Sequence, residues 1–386
     1  MRGFAVAILV ALVITLSGCS SAPTSPPSTE PSRVTAPRPT ESGLATTSPP
    51  GTTLASGVAL PACTPGEPKA TDTVTFVASG HAWALSPSGD HLTCLFEVTD
   101  SGAFEWGPLG DRALLGGLEV KGVAGGPSRP ATKQASATIT WSRPTGKSIV
   151  YAPAGSTSLA KVLVDGTRPQ DVTPLSSSTY LSVTYHPSGE AFAFAVERGG
   201  GESIWMSSNT GKRPNQLVFS KEGTRFGALG FDLDGRHLLY AALHADDHPE
   251  LHSIDVTDTK QAPVLWEGPV GWSVMDIQPG LVTGTVAWTT GPTSCADHVA
   301  MARTADGTVR ALGGTGSPTR AVGWLGPTRL LVATGKCGEP LDLSVLDVSS
   351  GSVTPLVSGV SAAAVRTPVP TPAAPLPSSV EGSGFS

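Results

Sequence analysis

One short phrase recurs along the chain and constrains the fold more than any other feature. It is clearest at residues 183–195, where an apolar strand ends on Tyr185, a Pro-Ser-Gly turn follows, and a second apolar strand begins. Related copies are anchored on an aromatic residue or, once, on an isoleucine: Trp106, Trp141, Tyr185, Phe231, Ile277 and Trp324. Successive anchors are 35, 44, 46, 46 and 47 residues apart. Because four short strands occupy this period, the spacing predicts an all-β chain folded as a β-propeller.

The two ends of the repeat region predict how the propeller closes. Residues 73–77, 81–85 and 91–98 read as three strands with no opening strand before them, and residues 360–365 read as one strand after a complete blade. We therefore expect the N- and C-terminal strands to share one blade, which leaves no free sheet edge. The unit at 102–136 is weak strand material. Counting it gives the seven blades that we predict, and merging it with a neighbour gives six as the alternative.

Strands outside the hairpins make the repeat more specific. Residues 203–207 contain Ile-Trp before a Gly turn, residues 251–256 read Leu-His-Ser-Ile-Asp-Val, and residues 343–347 are followed by a Ser-Gly turn. This pattern resembles the repeats of TolB-like propellers over about residues 102–360. The resemblance implies a binding or scaffolding module of the bacterial envelope. Similar repeats also form the gating propeller of some serine peptidases.

The N-terminus predicts export and anchoring. Residues 1–18 contain Arg2 and an apolar stretch too short to span a membrane, and they end in Leu-Ser-Gly before Cys19. This stretch resembles the lipobox of bacterial lipoproteins, which implies cleavage before Cys19, lipidation of its thiol and an extracytoplasmic protein held on the membrane. An ordinary leader with an unmodified cysteine is the alternative. Residues 19–60 predict a disordered Ser/Thr/Pro-rich stalk, 61–366 the propeller domain and 367–386 a disordered tail.

Four further cysteines predict two disulfides, because an even number in an exported chain usually pairs. Cys295 and Cys337 occupy equivalent loops of neighbouring predicted blades, so we expect a bond between them. Cys63 and Cys94 then pair with each other and tie the end of the stalk to the outer strand of the first blade.

Irregular polar sequence falls mainly between the second and third strands of each predicted blade, and this face is where we expect binding residues. Its densest set of potential metal ligands is His244, Asp246, Asp247 and His248, with Glu250 close behind. The spacing matches no metal motif, so we predict a solvated loop, no metal and no cofactor.

The functional prediction is a non-catalytic binding or scaffold module for an envelope protein or glycan. The alternative is a propeller enzyme, a hydrolase or lyase acting on envelope sugars, with metal assistance from the His/Asp loop. The formal net charge is −6 and no basic run occurs, so nucleic acid is not an expected partner. We expect a monomer.

Overall fold

The computed structural model describes residues 51–98, 104–116, 119–123, 129–130, 136–153, 156–212, 214–219, 223–292, 297–312, 318–336 and 338–366. These residues form 29 strands in seven antiparallel sheets, and this part of the chain contains no α-helix. Accordingly, none of it is a helix that could span a bilayer. The chain is a seven-bladed β-propeller, which confirms the predicted fold class and excludes the six-bladed alternative. The weak unit forms its own four-stranded blade, although its last strand has only two residues.

Each blade is one sheet, and the blades are numbered from the one that both termini build. Blade 1 contains β2 (Val74–Ala78), β3 (His81–Leu85), β4 (Leu92–Glu97) and β29 (Ala362–Val365). Blade 2 contains β5 (Phe104–Trp106), β6 (Arg112–Leu115), β7 (Glu119–Gly122) and β8 (Arg129–Pro130). Blade 3 contains β9 (Ser136–Trp141), β10 (Ser148–Pro153), β11 (Ala160–Leu163) and β12 (Gln170–Asp171). Blade 4 contains β13 (Thr179–Tyr185), β14 (Ala191–Arg198), β15 (Gly201–Ser208) and β16 (Pro214–Phe219).

Blade 5 contains β17 (Arg225–Phe231), β18 (His237–Leu243), β19 (Pro249–Asp255) and β20 (Val264–Glu267). Blade 6 contains β21 (Trp272–Pro279), β22 (Val286–Pro292), β23 (Val299–Arg303) and β24 (Val309–Leu312). Blade 7 contains β25 (Thr319–Trp324), β26 (Arg329–Thr334), β27 (Leu341–Asp347) and β28 (Val353–Val360), with β1 (Thr53–Leu54) added at its outer edge. First strands of neighbouring blades contact one another around the centre, as β13 does with β9 and β17.

The propeller closes in blade 1, as predicted, because the C-terminal strand β29 pairs with β2. The Thr75 hydroxyl donates to the carbonyl oxygen of Ala364 at 2.7 Å, which fixes the pairing from the side chain. Beyond β29, Arg366 donates from Nε to the Gly110 carbonyl oxygen at 2.8 Å and from Nη1 to that of Lys69 at 3.1 Å. The last strand is therefore attached to blades 1 and 2, and β2 is paired on both sides, with β29 and with β3.

Residues 51–60, which composition assigns to the stalk, pack on blade 7. Thr53 and Leu54 pair with Ser358 and Val357, and the Ala55 amide donates to the Leu356 carbonyl oxygen at 2.8 Å. Leu60 packs against the core that blades 1 and 7 share. The small, polar residues of this segment do not themselves indicate a strand. The segment is ordered because it pairs with the exposed outer edge of β28, which the local sequence does not reveal. The rest of the predicted stalk, the leader and the tail at 367–386 lie outside the described residues.

The repeated anchors are core residues. They end the first strands of blades 2, 3, 4, 5 and 7, and each is at least 95% buried: Trp106, Trp141, Tyr185, Phe231 and Trp324. Two of them also bond to the preceding blade, since Trp106 Nε1 donates to Thr75 Oγ1 at 2.7 Å and Trp324 Nε1 to the Gln278 carbonyl oxygen at 3.0 Å. The anchors therefore join neighbouring blades, each burial contributing about 1.5–3 kcal/mol.

Candidate functional site

The propeller has two faces that differ in the connections they carry. Loops between second and third strands lie on one, the loop face, whereas the turns after first strands and after third strands lie on the other, the turn face. Sequence variation suggests the loop face as the place for function.

On the loop face, the predicted metal candidates occupy the loop between β18 and β19 and face different partners. Asp247 has a positive φ of 60° and its Oδ1 lies 3.5 Å from Arg225 Nη2. His248 Nδ1 lies 3.5 Å from Glu267 Oε1, and Asp246 is exposed. Only His244 of the four belongs to a converging group, which it forms with Glu250 and His252 of β19. Sequence spacing does not reveal this group because its members are brought together by strand pairing.

A second group, formed by Asp232, Asp234 and His237, lies on the turn face of blade 5. Asp232 accepts from the His237 backbone N–H at 3.0 Å and lies 2.8 Å from its Nδ1, while Asp234 accepts from the Arg236 N–H at 2.8 Å. Burial raises the pKa of Asp232 to about 6, and the bonds from His237 oppose that rise. These contacts cap the turn that leads into β18, so the group has a structural role.

The predicted disulfides have different outcomes. Cys63 and Cys94 form a disulfide with Cα atoms 5.4 Å apart, which attaches the segment before β2 to the outer strand β4. Cys295, Cys337 and the lipidation candidate Cys19 lie outside the described residues. The Cys295–Cys337 bond and the lipid on Cys19 therefore stay predictions.

The turn face carries a cleft of about 340 Å³ between blades 3 and 4. The turn after β9 and the end of β11 form its walls, and the turn after β15 closes one side. All of the side chains that line it are polar or cationic except for two aliphatic residues of β11: Ser142, Arg143, Thr145, Lys147, Ser148, Lys161, Val162, Leu163, Arg168, Gln170 and Asn209. Four of these described lining residues are cations and none is a carboxylate, although the whole chain is acidic.

Hydrogen bonds fix the floor of the cleft. Asn209 Oδ1 accepts from Lys161 Nζ and from the Tyr185 hydroxyl, the latter at 2.6 Å. Burial lowers the pKa of Lys161 and raises that of Tyr185. The ammonium group of Lys161 is thus held in place by a neutral acceptor, and its positive charge is not cancelled by a carboxylate bonded to it.

Arg143, which lines the cleft, is within electrostatic reach of Glu105 on the first strand of blade 2. Desolvation by the surrounding protein lowers its pKa, and the nearby carboxylate of Glu105 on β5 opposes that shift. Glu105 is open to water, yet the surrounding protein raises its pKa to about 7, against the attraction of Arg143. Three of the four cations in the cleft are exposed, so an incoming anion can reach them: Arg143, Lys147 and Arg168.

A third polar group lies where the first strands of blades 6 and 7 meet. Asp276 on β21 is open to water, yet desolvation by the surrounding protein raises its pKa, opposed by the charges of Arg320 on β25 and of His298 just before β23. Burial and the Arg320 charge lower the pKa of His298, which is 5% exposed. This is a carboxylate, an imidazole and a guanidinium within electrostatic reach of one another.

Sequence reasoning missed the cationic cleft. Its charges are spread over residues 143–168 with Asp165 between them, so they form no basic run. The sequence of the turn does contain one signal for the cationic cleft. Lys147 follows the turn glycine at the position where the copy in blade 4 has Glu190. Only the fold shows that a side chain from β11 points to the same place.

Neither protein-family models nor curated proteins match the sequence. Solved structures do resemble it. A structure of two prolyl endopeptidases has a TM-score of 0.52 at 12% identity over 75% of this chain and 50% of that one. TolB from Acinetobacter baumannii has 0.46 at 13% over 78% and 67%, and an oligogalacturonate lyase in complex with manganese has 0.43 at 11% over 54% and 61%. At such identities the likeness shows the fold alone, and the chain spans half of the endopeptidase.

Proposed function

We propose that this chain is a lipid-anchored extracytoplasmic binding module whose propeller takes an anionic envelope partner in the cleft between blades 3 and 4. The observation that carries the proposal is the lining of that cleft, which has four cations and no carboxylate among its described residues. Such a site attracts negative charge. It is open at the rim of the propeller, so a ligand can enter it from solvent and leave it again. The fold is consistent with binding rather than chemistry, since propellers hold variable surface residues on a rigid frame.

Anchoring and export rest on the sequence before the propeller. The segment ending in Leu-Ser-Gly-Cys19 supplies the acyl-acceptor thiol, and the Cys63–Cys94 disulfide fits an oxidising compartment. Substituting Cys19→Ala is expected to abolish incorporation of labelled palmitate and to release the protein from the membrane fraction. Labelling that persists in C19A would refute lipidation at this residue.

The chemistry of the cleft indicates the class of partner. Lysine and arginine bind phosphate and carboxylate groups through charge-assisted hydrogen bonds. A glycan or polyol phosphate of the envelope carries such groups at regular spacing, and several cations around a groove bind such a polymer better than they bind one isolated ion. We therefore favour an anionic polymer over an envelope protein as the partner.

Calorimetric titration of the full chain in detergent with poly(glycerol phosphate) and with oligogalacturonate tests this proposal. The double variant Lys147→Glu with Arg168→Glu changes two exposed side chains, so folding should be unaffected. With up to about 1 kcal/mol per exposed charge contact, losing both contacts should weaken binding by up to about thirtyfold. Lys260→Glu, on the exposed turn after β19, is the control and should bind like the parent. Equal binding by the double variant would refute the cleft, as would equal binding of neutral dextran.

The enzyme alternative has one observation in its favour, the group of Asp276, His298 and Arg320. A carboxyl with a raised pKa beside a histidine is an arrangement used for proton transfer in hydrolases and lyases. Incubation of the full chain with carboxylated and neutral envelope oligosaccharides, compared with Asp276→Asn, tests it. Turnover lost in D276N would favour the enzyme, and the absence of products would leave the binding module.

A further inference from the structure

The loop-face group of His244, Glu250 and His252 is built by the register of two strands. In the pairing of β18 with β19, Ala242 lies opposite Glu250 and Tyr240 opposite His252. Side chains two residues apart on a strand share a face, so Glu250 and His252 project from the same side of blade 5. His244 continues that side beyond the end of β18.

The three ligand-type atoms lie close together. Glu250 Oε2 is 2.7 Å from His244 Nε2 and 2.6 Å from His252 Nε2, and all three atoms lie within 4.8 Å of one another. Two imidazole nitrogens and a carboxylate oxygen are a donor set that zinc accepts, and three protein ligands leave a fourth coordination position.

Hydrogen bonding orients the His252 ring toward Glu250. Its Nδ1 lies 3.1 Å from the Ala262 carbonyl oxygen, which can only accept, so Nδ1 carries a hydrogen. Nε2, on the opposite side of the ring, therefore faces the Glu250 carboxylate, 2.6 Å from its Oε2. A backbone carbonyl bonded to the remote ring nitrogen is also the usual outer contact of metal-binding histidines.

The surroundings hold the group rigid on one side and open on the other. The His252 ring lies flat on Tyr240, with centroids 4.8 Å apart and planes 4° apart, and its side chain is 12% exposed. Glu250 is 19% exposed and His244 38%, so access increases toward His244. An ion can therefore enter from solvent on that side.

We propose that His244 Nε2, Glu250 Oε2 and His252 Nε2 bind a divalent transition metal of the zinc class, with the fourth position open to solvent. The site is independent of the cationic cleft, since it lies on the opposite face and takes a cation. Asp246, Asp247 and His248 are not ligands.

The test is titration of the tag-free full chain, stripped with chelator and kept in detergent, with Zn²⁺ by calorimetry and with Co²⁺ by visible absorption. We expect one Zn²⁺ equivalent, and a Co²⁺ spectrum with the intense bands of a low-coordinate site. His252→Gln and Glu250→Gln should each weaken Zn²⁺ binding by about tenfold or more, a loss typical even of outer contacts to metal sites. Having both variants covers the case in which one of them fails to fold.

Two matched controls separate this site from other histidines. His248→Gln removes a histidine from the same loop, and His237→Gln removes one from the Asp232 group on the turn face. Both should bind Zn²⁺ like the parent. No heat with Zn²⁺ and no low-coordinate Co²⁺ spectrum from the parent would overturn the proposal. Unchanged affinity in H252Q and E250Q, or loss in H237Q, would equally overturn it.

Discussion

Replacing Gly189 by alanine is expected to destabilise the propeller through the contact between blades 3 and 4. Gly189 lies in the turn after β13 with φ +78°, a conformation that favours glycine. A Cβ at this position would stand well under 3.0 Å from the carbonyl oxygen of Arg143 in the turn of blade 3. The obstacle is backbone, which cannot rotate away as a flexible side chain would.

The magnitude follows from two contributions that a second glycine separates. Gly351, in the turn between β27 and β28, has φ +77°, and no atom lies within 4 Å of the place that a Cβ would occupy there. Alanine at this position incurs only the left-handed strain, roughly 1–2 kcal/mol less the benefit of a stiffer unfolded chain, so about 1 kcal/mol net. Gly189→Ala adds an overpacking cost of about 1–3 kcal/mol and should total about 2–4 kcal/mol.

Denaturant unfolding of G189A and G351A, measured beside the parent under the same conditions, checks this difference. The unfolding midpoint of G189A should fall clearly below that of G351A at unchanged slope. The displaced carbonyl belongs to Arg143, so G189A should also weaken binding of poly(glycerol phosphate) in the cleft, whereas G351A should not. Equal destabilisation by the two substitutions would refute the proposed contact between blades.

Three further perturbations have expected outcomes. The Cys63–Cys94 disulfide joins residues 31 positions apart. On chain-entropy grounds, removing it should lower the free energy of unfolding by about 3–4 kcal/mol at most. A loss near zero in denaturant titration would contradict a stabilising role. Burial lowers the pKa of His186 below its ordinary value of 6.5. Because the unfolded state then binds the proton first, the free energy of unfolding should fall as the pH drops below 6.5. His186→Gln should flatten that part of a curve of stability against pH. Arg366→Gln should cost about 1–3 kcal/mol by weakening two bonds to carbonyl oxygens, and hydrogen exchange should show earlier opening of β29.

The repeat made the architecture predictable because its signal is local. An aromatic anchor, a turn glycine and two apolar strands lie within about a dozen residues of sequence, and each copy has its own four-stranded sheet. Closure was predictable for the same reason, since β29 is one strand left over after blade 7. The strand at Thr53–Leu54 was not, because it depends on an edge of β28 distant in sequence.

The candidate sites were less predictable because their members meet only in three dimensions. The loop from 244 to 248 is dense in ligand-type residues, yet the geometry groups His244 with two residues of β19. By residue type alone, Asp246 and Glu250 are equally good candidate ligands. The alternation of side chains along β19 distinguishes them, because it places Glu250 on the same side of the strand as His252. The register of β18 and β19 is therefore the missing information.

The cationic cleft changes how the repeated turns are understood. A turn that serves only to reverse the chain needs its glycine and its anchor. The other positions in and just after the turn are free to vary in charge. In blade 3 those positions are Arg143 and Lys147, and the fold sets them beside Lys161 of the third strand. In blade 4 the position after the turn glycine is Glu190, and in blade 2 it is Asp111. The same backbone therefore presents opposite charges in neighbouring blades. Because the cationic turn of blade 3 lies between the acidic turns of blades 2 and 4, positive potential is concentrated at one place on the rim, and the turn face can select an anionic partner without any insertion in its loops.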